Sequence, residues 1–250
     1  MRWALACWRL LRTALHLLHG LLLVWLCFGR LDALARQRRI QWWAEKFLSV
    51  LGIELKLRGQ FSQGASLLVA NHVSWLDIIA IHAVHPRTRF VSKADVKHWP
   101  VIGPLVHAAG TLFIERERKR DALRVVHQMA EALGAGDSVG VFPEGTTGEG
   151  EHLLPFHANL LQAAIATDCR VQAVALRYAD AGSRFSRATV YVGQTSLVQS
   201  LWRVACGRGL QVHVTALPAL RVRHAERRAL SETLQQLIAG ELELDDAAGI

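Results

Sequence analysis

The change of pattern across residues 71–77 constrains this chain more than any other feature. Leu67-Leu68-Val69-Ala70 is a short apolar run of the kind that makes a buried strand, and Ile78-Ile79-Ala80-Ile81 continues as an apolar helical stretch. Asn71-His72-Val73-Ser74-Trp75-Leu76-Asp77 therefore marks a strand-to-helix junction. If His72 stands just before the helix and Asp77 one turn into it, the carboxylate folds back onto one imidazole nitrogen. That contact fixes the tautomer and leaves the other nitrogen free to take a proton. With 12 His in 250 residues, a His and an Asp five apart also arise by chance and are then only a capping pair. The chain has no Gly-x-Ser-x-Gly elbow and no obvious cysteine nucleophile, so a base here would act directly on a substrate hydroxyl.

From residue 65 onward strand and helix signals alternate, which indicates an α/β fold and one domain in a chain of this length. Strands are expected over 67–70, 88–92, 111–114, 139–142, 170–177, 189–192 and 211–216, and helices over 121–133, 156–167, 197–206 and 226–242. The breakers Pro100, Gly103 and Pro104 interrupt the pattern between the second and third of these strands. A net charge of +8 and a pI near 9.9 call for an anionic partner: nucleic acid, an acidic membrane surface or a phosphate-bearing substrate. A hydrophobic fraction of 51%, positive mean hydropathy and the lack of any nucleic-acid-binding motif favour the membrane over nucleic acid. Cys7, Cys27, Cys169 and Cys206 form no C-x-x-C pair, so neither a zinc site nor a disulfide framework is indicated, and a reducing compartment fits.

Two further segments carry polar residues at strand ends. Gly110-Thr111-Leu112-Phe113-Ile114-Glu115-Arg116 closes one apolar run, and Val141-Phe142-Pro143-Glu144-Gly145-Thr146-Thr147 closes another. In the second, Gly145 lets the backbone turn sharply, and successive N–H groups with the threonine hydroxyls can form a concave anion site. A tight polar turn would use the same residues. Glu144 suits the organisation of this loop through N–H and Arg contacts better than direct contact with an anion.

Taken together, N-H-x-S-W-x-D, F-I-x-R and F-P-E-G-T over roughly residues 58 to 220 resemble the glycerolipid acyltransferase family, which includes the bacterial 1-acylglycerol-3-phosphate acyltransferases. The resemblance implies a single mixed-sheet α/β catalytic domain with flanking helices. It also implies acyl transfer from acyl-CoA or acyl carrier protein, used as co-substrate, to the free hydroxyl of a lysophospholipid, with no metal and no resident cofactor. On the matching positions, His72 and Asp77 would be catalytic, and Arg116, Glu144, Gly145, Thr146 and Lys93 would bind substrate. Arg116 falls where the family places a phosphate-binding arginine, a role its planar fork suits. The chain departs from the family pattern at Ala173, where proline is expected, and at His157, where lysine or arginine is common. Both departures bear on the acceptor. A lyso-aminolipid such as lyso-ornithine lipid is the alternative acceptor, and a non-catalytic membrane-surface protein the alternative class.

Residues 1–57 are expected to form an N-terminal membrane segment ahead of a catalytic domain at 58–250. Thr13 to Gly29 carries no Lys, Arg, Asp or Glu and at ~1.5 Å per residue spans about 26 Å, short of the roughly 30 Å hydrocarbon core. Arginines flank it on both sides, so the positive-inside rule picks no direction, and a helix dipping into one leaflet from the cytosolic face of the inner membrane is expected. Ala33-Leu34-Ala35 would serve as a signal-peptide cleavage site, but the basic cluster Arg36 to Arg39 opposes export. Ile40, Trp43, Phe47 and Val50-Leu51 recur at helical spacing. They describe an amphipathic helix that suits either a headgroup layer or an ordinary core.

Overall fold

Leu67, Leu68, Val69 and Ala70 are all buried, as a central parallel strand covered by helices on both faces requires. The computed structural model describes residues 2–114 and 119–244, with side chains for 3–114 and 123–243. Among these, the strands β1 (Ile53–Gly59), β2 (Ser66–Ala70), β3 (Thr88–Lys93), β4 (Leu112–Ile114), β5 (Ser138–Val141), β6 (Arg170–Ala179) and β7 (Leu210–Ala216) form one sheet, in the order β1-β7-β6-β2-β5-β3-β4. The run β6-β2-β5-β3-β4 is parallel; β7 lies antiparallel to β6, and β1 parallel to β7. The sheet is mixed, as the resemblance implied.

The helices are α1 (Arg2–Leu26), α2 (Ala33–Leu51), α3 (Leu76–Val84), α4 (Ile102–Ala108), α5 (Lys119–Gly134), α6 (Gln162–Thr167), α7 (Leu197–Cys206) and α8 (Arg227–Leu244). Alternation along the strands sends Leu68, Ala70, Val174 and Leu176 to one core, shared with α2, α3 and α7. Leu67, Val69, Val171 and Ala173 go to the other, shared with α5, α6 and α8. The connection from β2 through α3 leads past β5 to β3, whereas that from β5 through α6 leads past β2 to β6. Neighbouring strands whose right-handed crossovers depart in opposite directions put their helices on opposite faces, and a crevice opens at their carboxyl ends. That crevice lies between residues 71–77 and 142–148.

Several expectations are corrected. The boundary placed at residue 57 falls inside β1, which pairs with β7 from Ile53 to Gly59. Its alternating Ile53, Leu55 and Leu57 against Glu54, Lys56 and Arg58 is the pattern of a half-exposed edge strand. No strand forms over 189–192; that segment hooks onto the site instead, with Tyr191 N–H donating to the Val73 carbonyl at 3.2 Å. Residues 156–167 divide into an irregular start, a 3₁₀ turn at Ala158–Leu161 and the short α6. Of the breakers, only Pro100 precedes α4; Gly103 and Pro104 lie in its first turn, where proline is tolerated. On α2 the aromatic face is core: Phe47 is buried, and Trp43 packs against α1 with its ring stacked on His16 at 5.0 Å. Gly20 permits that crossing, since a Cβ there would lie 2.5 Å from Trp43 Nε1.

Two histidines are held neutral within this core. His82 on α3 stands edge-on to Phe90, and burial pushes its pKa down to about 4. Burial, and then the nearby Arg87 charge, do the same to His85, which contacts the Thr88 hydroxyl at 2.8 Å. Because the folded values lie below the ordinary 6.5, their stability contribution is complete above that value and is lost as pH falls toward about 4. The urea midpoint should therefore fall between pH 7 and pH 5, and fall less steeply in His82→Leu. Equal slopes in the two proteins would show that His82 does not titrate with unfolding.

Candidate active site

The crevice is built from the end of β2. Asn71 receives Leu176 N–H on its Oδ1 at 2.8 Å and donates its Nδ2 to the Leu176 carbonyl at 2.9 Å. A side-chain amide thus continues the β2–β6 ladder where the β2 backbone turns away. Five residues later α3 begins at Leu76, and Asp77 in its first turn points back. Its Oδ2 accepts from Val73 N–H at 2.7 Å, from Ser74 N–H at 2.9 Å and from His72 Nδ1 at 2.8 Å. Its Oδ1 accepts from the Tyr178 hydroxyl of β6 at 2.8 Å. Asp77 is completely buried, and a carboxylate without partners there would be strongly disfavoured; four donors replace its water.

An ionised carboxylate only accepts, so the His72 proton lies on Nδ1 and the lone pair on Nε2. The imidazole stacks flat on Phe142, 3.9 Å between centroids and 11° between planes, and Phe142 stacks in turn on Phe90 at 5.6 Å. Gly140 makes room for this column, since a Cβ there would meet Phe90 Cε1 at 2.6 Å. The His72 side chain keeps 19% of its surface exposed. One face is covered and one nitrogen is tied, which leaves Nε2 as the free edge. Burial, and then the adjacent Asp77 charge, hold the Tyr178 phenol well above its ordinary pKa, so it keeps its proton and remains a donor.

The loop after β5 closes the other side. Glu144 is buried; its Oε1 accepts His72 N–H at 2.6 Å and its Oε2 accepts Leu154 N–H at 2.9 Å. Burial raises its pKa, and the two N–H donors partly offset that rise. Gly145 takes a left-handed backbone with φ of +70°, Gly148 N–H donates to the His72 carbonyl at 2.7 Å, and the Thr147 hydroxyl donates to the Tyr191 carbonyl. Three loops, 72–74, 143–150 and 190–192, are thereby braced against one another around one imidazole.

A model of the acyltransferase family, described as Acyltransferase, matches residues 52–177. A lyso-ornithine lipid O-acyltransferase of Pseudomonas aeruginosa is 36% identical over 203 residues, 81% of this chain and 78% of that protein. A 1-acyl-sn-glycerol-3-phosphate acyltransferase of Neisseria meningitidis is 37% identical over 190 residues, 75% of this chain and 73% of that protein. The chain belongs to the acyltransferase family. The fold agrees: the crystal structure of the 1-acyl-sn-glycerophosphate acyltransferase PlsC of Thermotoga maritima superposes with a TM-score of 0.69 at 17% identity, covering 96% of this chain and 98% of that one.

Of the residues singled out in the sequence of this acyltransferase, the structure brings together His72, Asp77, Glu144 and Gly145. Thr146 is exposed on the same loop, and its neighbour Thr147 is the one that bonds within the site. Lys93 is exposed at the end of β3, on the same edge of the sheet and two strands from β2. Arg116 lies outside the described residues. Glu144 is turned inward, with both carboxylate oxygens on backbone N–H groups, so it organises the loop. Tyr178 and Phe142 join the site without a sequence signal that assigns them to it. The alternation of β6 puts Tyr178 on the α3 side of the sheet, but nothing local couples it to Asp77, 101 residues away.

Glu144→Ala leaves two N–H donors without their acceptor, at about 1–3 kcal/mol each. It should lower unfolding free energy by at least about 2 kcal/mol in urea denaturation. A loss below about 0.5 kcal/mol would show that the loops do not depend on this carboxylate.

Proposed function

We propose that this acyltransferase moves a fatty acyl group from a thioester donor, acyl-CoA or acyl carrier protein, to the free hydroxyl of 1-acyl-glycerol-3-phosphate, giving phosphatidate. The observation that carries the reading is the single free nitrogen of His72, held by a buried carboxylate at the mouth of the crevice. His72 Nε2 takes the hydroxyl proton as the oxygen attacks the thioester carbonyl. The tetrahedral intermediate collapses, the C–S bond breaks, and the thiolate leaves with the proton returned from the imidazolium. Asp77 orients His72 and stabilises its charge, and Tyr178 fixes the carboxylate. The proposed route uses no metal, no resident cofactor and no covalent enzyme intermediate. Arg116, with Lys93 and the Gly145-Thr146 loop, is assigned to the acceptor phosphate on the family pattern.

Lyso-ornithine lipid is the second acceptor to test, because a relative of that name is as similar as those named for the glycerophosphate, and because His157 and Ala173 replace residues the family usually has. Both acceptors would use the same base.

The reading places the protein on one leaflet of the inner membrane, at its cytosolic face. By length and composition, Trp3–Leu26 is a helix able to cross a membrane. It is, however, fastened along one side: Arg9 donates to the carbonyls of Ala205 on α7 and of Gly207 just past its end, and His16 and Trp43 of α2 exchange hydrogen bonds, while Arg36 of α2 donates to the Phe28 carbonyl in the turn after the helix. Its outer stripe, Trp8, Leu11, Leu15, Leu18, Leu22 and Trp25, is exposed and apolar. A helix held along one side with an apolar stripe on the other lies in the interface.

His72→Ala should cut turnover by ~10²–10⁴-fold in a purified, folded protein; a parental rate would end the mechanism. Arg116→Ala should raise KM for lysophosphatidate on the order of tenfold while leaving that for the donor near its original value. An unchanged acceptor KM, with turnover on lyso-ornithine lipid in a matrix of donors and acceptors, would assign the phosphate-free acceptor instead.

A further inference from the structure

A cavity of about 530 Å³ lies between the start of α1, α7 and the loop after β6, lined by Trp3, Arg187, Ala188, Trp202, Arg203 and Cys206, none of them a residue of the His72 crevice. Its walls are fixed. Trp3 packs against Trp202 with ring centroids 5.5 Å apart, and Arg9 clamps α1 to the end of α7 at Gly207 with a 2.6 Å hydrogen bond. Two exposed guanidinium groups share the cavity, and neither has an acidic partner among the described residues. Like charges set around one space disfavour each other unless an anion lies between them, and the planar arginine fork matches phosphate oxygens.

The position of the cavity selects the anion. Trp3 stands exposed at the N-terminal end of the outer stripe of α1, so a helix lying in the interface brings the cavity to the headgroup level, where tryptophans accumulate. We propose that this cavity binds the phosphate headgroup of an anionic phospholipid, phosphatidylglycerol in type, as a site separate from the acyl-transfer crevice. Its acyl chains would lie along the α1 stripe. The inference rests on the one-leaflet reading above. The chain that leaves the cavity at Arg187 and Ala188 reaches Tyr191, whose N–H donates to the Val73 carbonyl next to His72.

The test uses the full chain with vesicles of phosphatidylcholine alone and of phosphatidylcholine with phosphatidylglycerol in a two-to-one ratio. The parent should bind both and favour the anionic vesicles. Arg187→Gln with Arg203→Gln should remove most of that preference, on the order of tenfold, because each interfacial arginine contributes about fivefold. Arg221→Gln with Arg223→Gln, equal in charge and on the opposite face of the sheet, should keep it. Equal losses in the two double variants would reduce the effect to net charge and overturn the site. Binding without anionic preference overturns it too but leaves the one-leaflet reading standing, whereas failure to bind either vesicle overturns both. Should the double variant not fold, monomeric short-chain phosphatidylglycerol should change the tryptophan fluorescence of the parent, and short-chain phosphatidylcholine should not. No change with the first lipid, or displacement of it by coenzyme A, would overturn the assignment.

Discussion

The buried carboxylate of Asp77 is the constraint to which the rest of the site conforms. A charge without solvent is tolerable only when donors replace its water, and here they come from three sources: the backbone at Val73 and Ser74, the imidazole of His72 and the phenol of Tyr178. Each contact has a second consequence. The backbone donors fold the 72–74 loop tightly over the first turn of α3. The imidazole contact selects one tautomer, and the phenol ties α3 to β6 across the core. Satisfying one charge therefore fixes the geometry that a proton-transferring histidine needs.

Topology supplies the location. Because the crossovers after β2 and β5 depart in opposite directions, their loops meet at an open edge, and Glu144 joins them by accepting one N–H from each side of the crevice. The aromatic column Phe90, Phe142 and His72 runs down the same edge, with Gly140 as the gap that admits it. Asp77 and Tyr178 thus stand on a helix start and a strand whose positions the core sets, and they hold the loop that carries His72.

Much of this was legible in the chain, and what was not follows a pattern. The His72–Asp77 contact is local, five residues along a strand-to-helix junction, so spacing alone carried it. The alternation of strands and helices after residue 65 gave the mixed α/β domain. Tyr178 was invisible because its partner is distant in sequence and its own strand reads as ordinary core. β1 is not legible because its alternation of apolar and charged residues sits directly after the amphipathic α2, whose mix of apolar and charged residues it continues, and an edge strand gains its meaning only from β7. The face of α2 carrying Trp43 and Phe47 fitted a membrane and a core equally well by periodicity, and packing against α1 and α3 decided for the core. Glu144 stood in a motif that faces substrate, yet its side chain turns inward to the backbone.

The central claim is that Asp77 holds the proton of His72 on Nδ1 and leaves Nε2 as the base. Nitrogen-15 NMR of histidine-labelled protein at pH 8, with the His72 signals identified by their loss in His72→Gln, measures this directly. The account predicts a neutral ring protonated at Nδ1 with an unprotonated Nε2. It also predicts that Asp77→Asn disturbs that state. A His72 ring carrying its proton on Nε2, or exchanging freely between the two tautomers, would contradict it.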